Sequence, residues 1–253
     1  FSLAILMALL LLPLSAGALE LRLAYIDQDA RPYMTGAGTT IPEQPGVAVE
    51  LVQRAVSQLG ARLALTRMPA RRMLEEVKAG RQDGILGFRH SPERAQDLVF
   101  PMRDGRPDAT RHAARLAHSL YRRRDSSVTW DGRQVGGLTA PVAVSSTQLV
   151  ADALLAQGIE IIRIESSGQM FAMLSIGRVD AVVIIDALGD RQLRQQASGL
   201  IEKVTPPMLV EDFHVPVSPR FYAAHRDFTE RLWRLIGERR EAVYAELLPN
   251  YLF

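Results

Sequence analysis

Cysteine is absent from all 253 residues of the chain. Disulfides, thiolate metal sites and cysteine nucleophiles are therefore excluded, because each of them needs a thiol. A chain of this length can bury a core large enough to fold without crosslinks. The absence of cysteine therefore fits a bacterial periplasm, where size replaces disulfides.

Lysine is almost as rare. Lys78 and Lys203 are the only lysines among the 30 basic residues, and the net charge is only +2. A nucleic-acid-binding protein concentrates basic residues on one element. The densest basic run, 115–124, is interrupted by apolar residues and is typical of a solvated strand or helix face. No nucleic-acid partner is predicted.

Several catalytic and cofactor patterns are also missing. The five histidines have no metal-ligand spacing, and the sequence contains no phosphate loop and no Ser/His/Asp arrangement. The sequence predicts no metal, no other cofactor and no catalytic residue.

An apolar run near the beginning of the chain indicates the compartment. It extends from Leu3 to Leu14, no charge precedes Glu20, and the small residues Ala16-Gly17-Ala18 follow. The run is shorter than the roughly 20 apolar residues of a transmembrane helix, although an uncleaved anchor or a buried helix is an alternative. We predict that 1–18 is a signal peptide and that the mature protein, starting at Leu19, is periplasmic.

Two α/β units with similar order follow. Apolar alternation and helical spacing, with glycine at the helix ends, predict the elements. In the first unit these are strands at 21–25, 61–66 and 83–88 and helices at 47–59 and 71–79; in the second they are strands at 134–144, 159–164 and 179–185 and helices ending at 155 and 176. Each unit has the order βαβαβ, which is typical of a parallel sheet with crossover helices.

The chain continues beyond the second unit. The tail from 215 onward contains a strand-like stretch and two amphipathic segments, 228–236 and 239–248. Ligands of open α/β sheets bind beyond the carboxyl ends of the strands. The sequence therefore predicts an α/β fold of two lobes with a ligand cleft between them.

Four short motifs carry a resemblance to a known family. They are Arg31-Pro32-Tyr33, the segment 46–51, Ser91-Pro92-Glu93-Arg94 with Phe100-Pro101, and Gly177-Arg178-Val179-Asp180. In this order they resemble family 3 of the bacterial extracellular solute-binding proteins. The resemblance implies a type II, Venus-flytrap fold with two hinge crossings, near 117–123 and near 213–219. Lobe 1 would comprise 19–116 and 217–253, and lobe 2 would comprise 117–216.

The same resemblance implies a binding site. Arg94 would clamp a ligand carboxylate, because a guanidinium pairs with it through two parallel hydrogen bonds. Ser91 would add donors to the same anion. The alternative for Arg94 is a structural ion pair with Glu93 or Asp97.

Further predicted ligand contacts come from both lobes. Ser146 and Thr147, which also fit plain helix capping, would close onto the carboxylate. Asp27 and Tyr33 would supply a polar contact and an aromatic wall, although Tyr33 also fits a surface aromatic. Phe88, Arg89 and Asp186 complete the predicted set.

The sequence departs from the family pattern at three positions. Ile185 occupies the position of the ammonium-binding carboxylate, and Asp186 comes one residue later, where strand alternation turns it away unless the strand has already ended. Arg89 replaces a small polar residue, and Ala30 replaces a stacking aromatic. These departures favour a ligand that is modified or more negatively charged than a standard α-amino acid.

The predicted function is capture of a small carboxylate-bearing, amino-acid-like ligand for an ABC importer. The partners would be that ligand and an inner-membrane ABC permease, and the protein would act as a monomer. Two alternatives remain: a periplasmic dehydratase-like enzyme, with Glu50 or His90 as acid–base group, or a ligand-sensing module.

The predicted signal peptide can be tested directly. Expression of the chain behind a basic N-terminal extension is expected to release a periplasmic protein that starts at Leu19, as read by mass spectrometry. Recovery only from the membrane, with the apolar run intact, would contradict cleavage.

Overall fold

The structure is a computed structural model that describes residues 18–144, 148–195 and 199–251. Within those ranges the helices are α1 (Val47–Gln58), α2 (Ala70–Lys78), α3 (Gln148–Leu155), α4 (Ser167–Ser175), α5 (Asp186–Gln195), α6 (Pro219–Ala224) and α7 (Arg226–Tyr251). None of these helices combines the length and the apolar character needed to cross a bilayer. The predicted signal peptide, apart from Ala18, lies outside the described residues.

The strands in the same ranges are β1 (Glu20–Ile26), β2 (Arg62–Met68), β3 (Gly84–Ile85), β4 (Phe88–Arg89), β5 (Met102–Arg103), β6 (Arg106–Pro107), β7 (Ala114–Arg123), β8 (Thr129–Trp130), β9 (Val135–Gly136), β10 (Val142–Val144), β11 (Ile161–Arg163), β12 (Ala181–Ile185) and β13 (Ile201–His214). β5 pairs with β6 and β8 with β9, and the other strands form two sheets.

The two sheets define two lobes. The first sheet has the parallel order β2-β1-β3. The second has the order β11-β10-β12-β7-β13-β4, in which β10, β11 and β12 are parallel and β7 and β13 run antiparallel to their neighbours. The orders β1-α1-β2-α2-β3 and β10-α3-β11-α4-β12 confirm the predicted two-lobe α/β fold with βαβαβ halves.

Each sheet has an apolar core on both faces. In β12, Val182 and Ile184 contribute to one core of the second lobe, and Ala181 and Val183 contribute to the other. This follows from the alternation of side chains along a strand, and explains why a strand covered on both faces has a continuous apolar sequence.

The tail of the chain completes the core of the first lobe. The predicted segments 228–236 and 239–248 are two parts of the single helix α7, which packs against α1. Trp233 is only 1% exposed, and its indole nitrogen donates to the carbonyl of Val215 over 2.6 Å. The first lobe is therefore built from both ends of the described chain.

The long strand β7 overlaps the first predicted crossing, 117–123, whereas the long strand β13 ends at His214, at the start of the second, 213–219; both crossings stay predictions. Most of the basic run at 115–124 belongs to β7, in which Arg115 is exposed whereas the apolar Leu120 and Tyr121 are fully buried. The sequence did not predict β13 as a strand. Pro206 and Pro207 interrupt its pattern, and the register of β13 against β7 shifts in that region, as expected where proline cannot donate to the ladder.

Two predicted strands are shorter than expected. The segment 83–88 divides into β3 and the start of β4, because Gly87 turns the chain with a positive φ of 76°. The segment 134–144 contains β9 and β10, with Gly137 at a φ of 71° between them. Glycine adopts this backbone conformation without the steric penalty of a side chain.

Two buried histidines beside the crossing strands predict acid sensitivity. His112 and His118 are 3% and 1% exposed, and burial lowers the pKa of each from 6.5 to about 4. The unfolded chain therefore binds protons at a higher pH than the folded one. Stability should be fully present above pH 6.5 and fall towards pH 4, by up to about 1.36 kcal/mol per pH unit for each histidine.

Urea unfolding at about pH 7.5 and about pH 4.5 measures this loss. The variant His112→Asn, whose amide can replace the contact with the carbonyl of Ala109, should reduce the slope. An equal free energy of unfolding at both pH values would contradict the prediction.

Candidate ligand-binding site

A cavity of about 240 Å³ lies where the first lobe meets the long strands. Four predicted site residues contribute to its wall, together with one residue each from β7 and β13: Tyr33, Phe88, Arg89, Arg94, Leu116 and Phe213. Ala30, at the position predicted to lack a stacking aromatic, lies in the same wall. The structure therefore brings these predicted positions together at one cavity.

Arg94 begins a short 3₁₀ turn, Arg94–Gln96, after β4. Its guanidinium carbon lies 3.9 Å from the centroid of the Phe88 ring, and its Nη1 donates to the carbonyl of Arg89 over 2.8 Å. A cation that lies over the face of an aromatic ring is attracted by the partial negative charge of that face. The aromatic ring and the carbonyl together fix the plane of the guanidinium at the cavity wall.

The charge of Arg94 has no carboxylate partner within ion-pair distance among the described residues. Asp97, one of its predicted alternative partners, pairs with Lys78 over 2.9 Å, and Glu93 is exposed. Burial lowers the pKa of Arg94, and the nearby charge of Arg89 lowers it further. An anion in the cavity would relieve both effects.

Arg89 was expected to be a second free cation, but it is paired. Its Nη1 lies 3.1 Å from Oε1 of Glu211, whose side chain is only 9% exposed. The pairing follows from the register, because Arg89 is opposite Phe213, and Glu211 points to the same face two residues away. The net positive charge at this cavity therefore comes from Arg94.

Ser91 and Asp27 occupy supporting positions. The hydroxyl of Ser91 accepts a hydrogen bond from the backbone nitrogen of Arg94 over 3.3 Å, so it orients the turn that carries the arginine. Asp27 directly follows β1, and its backbone carbonyl accepts from Gly38 over 2.8 Å. The described lining of the cavity does not include Asp27.

Tyr33 connects the loop after β1 to a crossing strand. Its hydroxyl donates to the carbonyl of Arg115 over 3.0 Å, and its ring centroid lies 5.9 Å from that of Tyr244. Burial raises the pKa of Tyr33 to about 12, and the charge of Asp186 adds to the effect. Tyr33 lies between the first cavity and an adjoining one of about 280 Å³.

Asp186 lies in the wall of the adjoining cavity. Strand β12 ends at Ile185 and Asp186 begins α5, so strand alternation no longer determines the direction of its side chain. Its Oδ2 accepts from Nζ of Lys203 over 2.7 Å, and the same nitrogen lies 3.1 Å from Asp190. An internal ammonium group therefore already contacts this carboxylate.

Ser146 and Thr147, the predicted hydroxyl contacts of the second lobe, lie outside the described residues. The sequence did not predict Leu116 and Phe213 as lining residues, because they belong to the long strands, whose mutual register no local pattern specifies.

Sequence reasoning also missed Arg67, which holds the loop between β1 and α1. This arginine is 2% exposed and donates to the carbonyls of Gly36, Thr40 and Ile26 over 2.6, 2.9 and 3.4 Å. The loop carries Tyr33 and Ala30 to the cavity, so Arg67 positions that wall. A basic residue directly after the predicted strand 61–66 was the available signal.

The comparisons with known proteins agree with the fold. No family model matches the chain, and no curated protein matches it in sequence. Among solved structures, the unliganded open L-cystine solute receptor of Neisseria gonorrhoeae is 16% identical with a TM-score of 0.63, and the match covers 92% of each chain. An ancestral cationic amino acid solute-binding protein is 14% identical with a TM-score of 0.60, covering 92% of this chain and 96% of the other.

A third match is the sensor domain of a histidine kinase, described as similar to periplasmic binding proteins. It is 18% identical with a TM-score of 0.52, and the match covers 92% of this chain and 94% of that one. At these identities the likeness defines the fold. The chain has the two-lobe periplasmic-binding-protein fold, and its structural neighbours include amino-acid solute-binding proteins, as the sequence resemblance predicted.

The role of Arg67 predicts a stability effect localised to one loop. Arg67→Met removes three hydrogen bonds from a buried guanidinium to backbone carbonyls, and a hydrogen bond to a charged group contributes about 1.5–3 kcal/mol. Urea unfolding should show a loss of at least about 2 kcal/mol, and limited proteolysis should cut faster within 27–46. The control Arg71→Met changes a side chain that is 94% exposed. Equal stabilities of the two variants would contradict the role.

Proposed function

We propose that this chain is a periplasmic solute-binding protein that captures a small carboxylate-bearing, amino-acid-like ligand between its lobes. One observation supports the proposal most strongly: the guanidinium of Arg94 lies stacked on Phe88 at a cavity wall, without a carboxylate partner among the described residues. A half-buried cation held in place before ligand arrives loses little entropy on binding.

The free atoms of Arg94 suit a carboxylate. Nη1 is engaged by the carbonyl of Arg89, so Nε and Nη2 remain to form two parallel hydrogen bonds with one carboxylate. Because Glu211 neutralises Arg89, one net positive charge remains. This balance favours a single carboxylate in the cavity over the more negatively charged ligand that the sequence favoured.

The ligand's amino group, if it has one, is not expected to depend on Asp186. Lys203 already neutralises that carboxylate through Oδ2, so an added ammonium would gain little from the buried Oδ1, which has no hydrogen-bond partner among the described residues. Analogues that lack the amino group should therefore compete well with the natural ligand.

Delivery to an inner-membrane ABC permease is the proposed physiological use of this capture. The lobes, 19–116 with 217–253 and 117–216, would close about β7 and β13, and the protein would act as a monomer. Hinge closure of this kind gives the ligand-bound protein a shape different from that of the unbound protein, so a permease can recognise the bound state. The amino-acid ligands named for the cystine receptor and the ancestral protein support this class of cargo.

A ligand-sensing module is the second candidate, and the kinase sensor domain among the neighbours favours it. Uptake of the identified ligand by cells that lack the gene discriminates the two functions. Loss of uptake would indicate a transport receptor, whereas unchanged uptake would indicate a sensing module.

The neighbours reported above are binding or sensing proteins, which supports a function other than catalysis. For the dehydratase alternative, neither Glu50 nor His90 is among the described residues that line the cavities of Arg94 and Asp186. Glu50 accepts a hydrogen bond from the hydroxyl of Tyr251, and the ring of His90 packs 5.0 Å from that of Phe100.

A thermal-shift screen against monocarboxylates, amino acids and di-acids tests the ligand class. A ligand that binds only the folded state raises the unfolding temperature. The largest shifts are expected for ligands with one carboxylate, and larger shifts for carboxylate-free ligands would contradict the proposal.

Calorimetric titration with the identified ligand tests Arg94. Arg94→Ala leaves the carboxylate unpaired in the closed cleft, which costs roughly 3–5 kcal/mol, or about two to four orders of magnitude in affinity. Arg94→Lys should also lose most binding, because an ammonium group cannot form the planar pair. The control Arg62→Ala changes a side chain that is 77% exposed and should bind normally.

Asp186→Ala completes this experiment. It should weaken binding much less than Arg94→Ala, because the partner of Asp186 is Lys203. Equal losses in the two variants would mean that Asp186 contacts the ligand's ammonium group, and unchanged binding by Arg94→Ala would remove the basis of the proposed site.

A further inference from the structure

A third cavity, of about 470 Å³, lies in a groove between α5 and α7. Helix α7 packs against α1 and belongs to the core of the first lobe, whereas α5 packs against β7 and β12. None of the residues lining this groove lines the cavity of Arg94. The groove shares Tyr244 with the cavity of Asp186, but it is separate from the cavity of Arg94 and lies between elements of the two lobes.

The α5 side of the groove is basic. Arg191 and Arg194 are three positions apart and so lie on the same helical face. Within the described ranges, neither guanidinium has a carboxylate within ion-pair distance. The Nε atom of Arg191 is also buried without a hydrogen-bond acceptor. A buried donor on a charged group is costly to leave unpaired, so this side of the groove favours an anion.

The α7 side of the groove is apolar. It is formed by Tyr244, Ala245, Leu248 and Pro249, whose spacing places them along one stripe of the helix. Inorganic phosphate could satisfy the arginines, but it would leave this stripe in contact with water. An occupant with an apolar body covers the stripe and places its charge at the arginines.

We propose that the groove binds a small monocarboxylate with an apolar chain or ring, at a site independent of the cleft. The carboxylate accepts hydrogen bonds from Arg191 and Arg194, and the apolar body packs against Tyr244 and Leu248. The site itself does not depend on the function proposed for the cleft.

Calorimetric titration of the purified protein with sodium octanoate, octanamide and inorganic phosphate tests the site. Octanoate should bind at least about tenfold more tightly than either other probe, because only octanoate combines the charge with the chain. Arg191→Gln and Arg194→Gln should each weaken octanoate binding about tenfold. Arg231→Gln, an exposed control on α7, should leave it unchanged.

A second variant keeps the test decisive if the arginine variants fold poorly. Ala245 is exposed on α7, and Ala245→Glu would offer the two arginines a carboxylate from the facing helix. Octanoate binding should then be lost while the thermal midpoint is maintained. The variant Arg94→Ala should bind octanoate normally, even if the cleft proposal fails.

Three results would overturn the proposal. They are octanamide binding as tight as octanoate binding, no octanoate binding by the unmodified protein, and loss of octanoate binding in Arg94→Ala but not in Arg191→Gln. The last result would place octanoate in the cleft.

Discussion

The antiparallel pairing of β7 with β13 joins the two lobes and sets the positions of residues from both. β7 is also hydrogen-bonded to β12, whose end leads directly to Asp186. β13 is also hydrogen-bonded to β4, which carries Phe88 and Arg89. A shift in the register between the two long strands would therefore move the stacking platform of Arg94 relative to the start of α5. Cross-strand register is strongly specified where faces are buried, and Leu120 and Tyr121 are fully buried on β7.

Internal pairing controls the charge at the cleft. Arg89 and Lys203 both lie near it, and each contacts a carboxylate of the protein, Glu211 and Asp186 respectively. Arg94 contacts a carbonyl and an aromatic ring instead. These uncharged contacts orient the guanidinium without cancelling its charge, and an anionic ligand can use that charge in a setting of reduced dielectric.

Local sequence patterns predicted the regular elements well. The helices α1, α2 and α4 were expected within one residue of their observed ends, because apolar periodicity and a following glycine mark each one. β13 was missed because its two prolines break the strand pattern, although β7 supplies enough pairing on either side of them. Arg89 is paired with Glu211 because of the register between β4 and β13, two strands far apart in the sequence. No local sequence pattern predicts that register.

The candidate site was predicted in part for the same reason. Tyr33 and Arg94 belong to motifs recognisable along the chain, Phe88 and Arg89 shortly precede one of these motifs, and all four residues line one cavity. The role of Arg67 was not predicted, because its partners are backbone carbonyls of a distant loop. Every residue has a backbone carbonyl, so the sequence of the loop does not identify the partners. The roles of Ser146 and Thr147 and the lobe boundaries stay predictions.

The docking of α7 on the first lobe also determines the order in which the chain can fold during synthesis. Every buried member of the two second-lobe cores lies between Leu120 and Ile201, so that lobe has all its core residues within one continuous stretch. The first-lobe core combines Leu21 and Val49 with Leu232 and Trp233, and the latter two leave the ribosome only after the whole second-lobe core. Contacts between residues so far apart in sequence form late. The part of the first lobe that precedes the second lobe therefore waits, with its core open, until α7 has been translated.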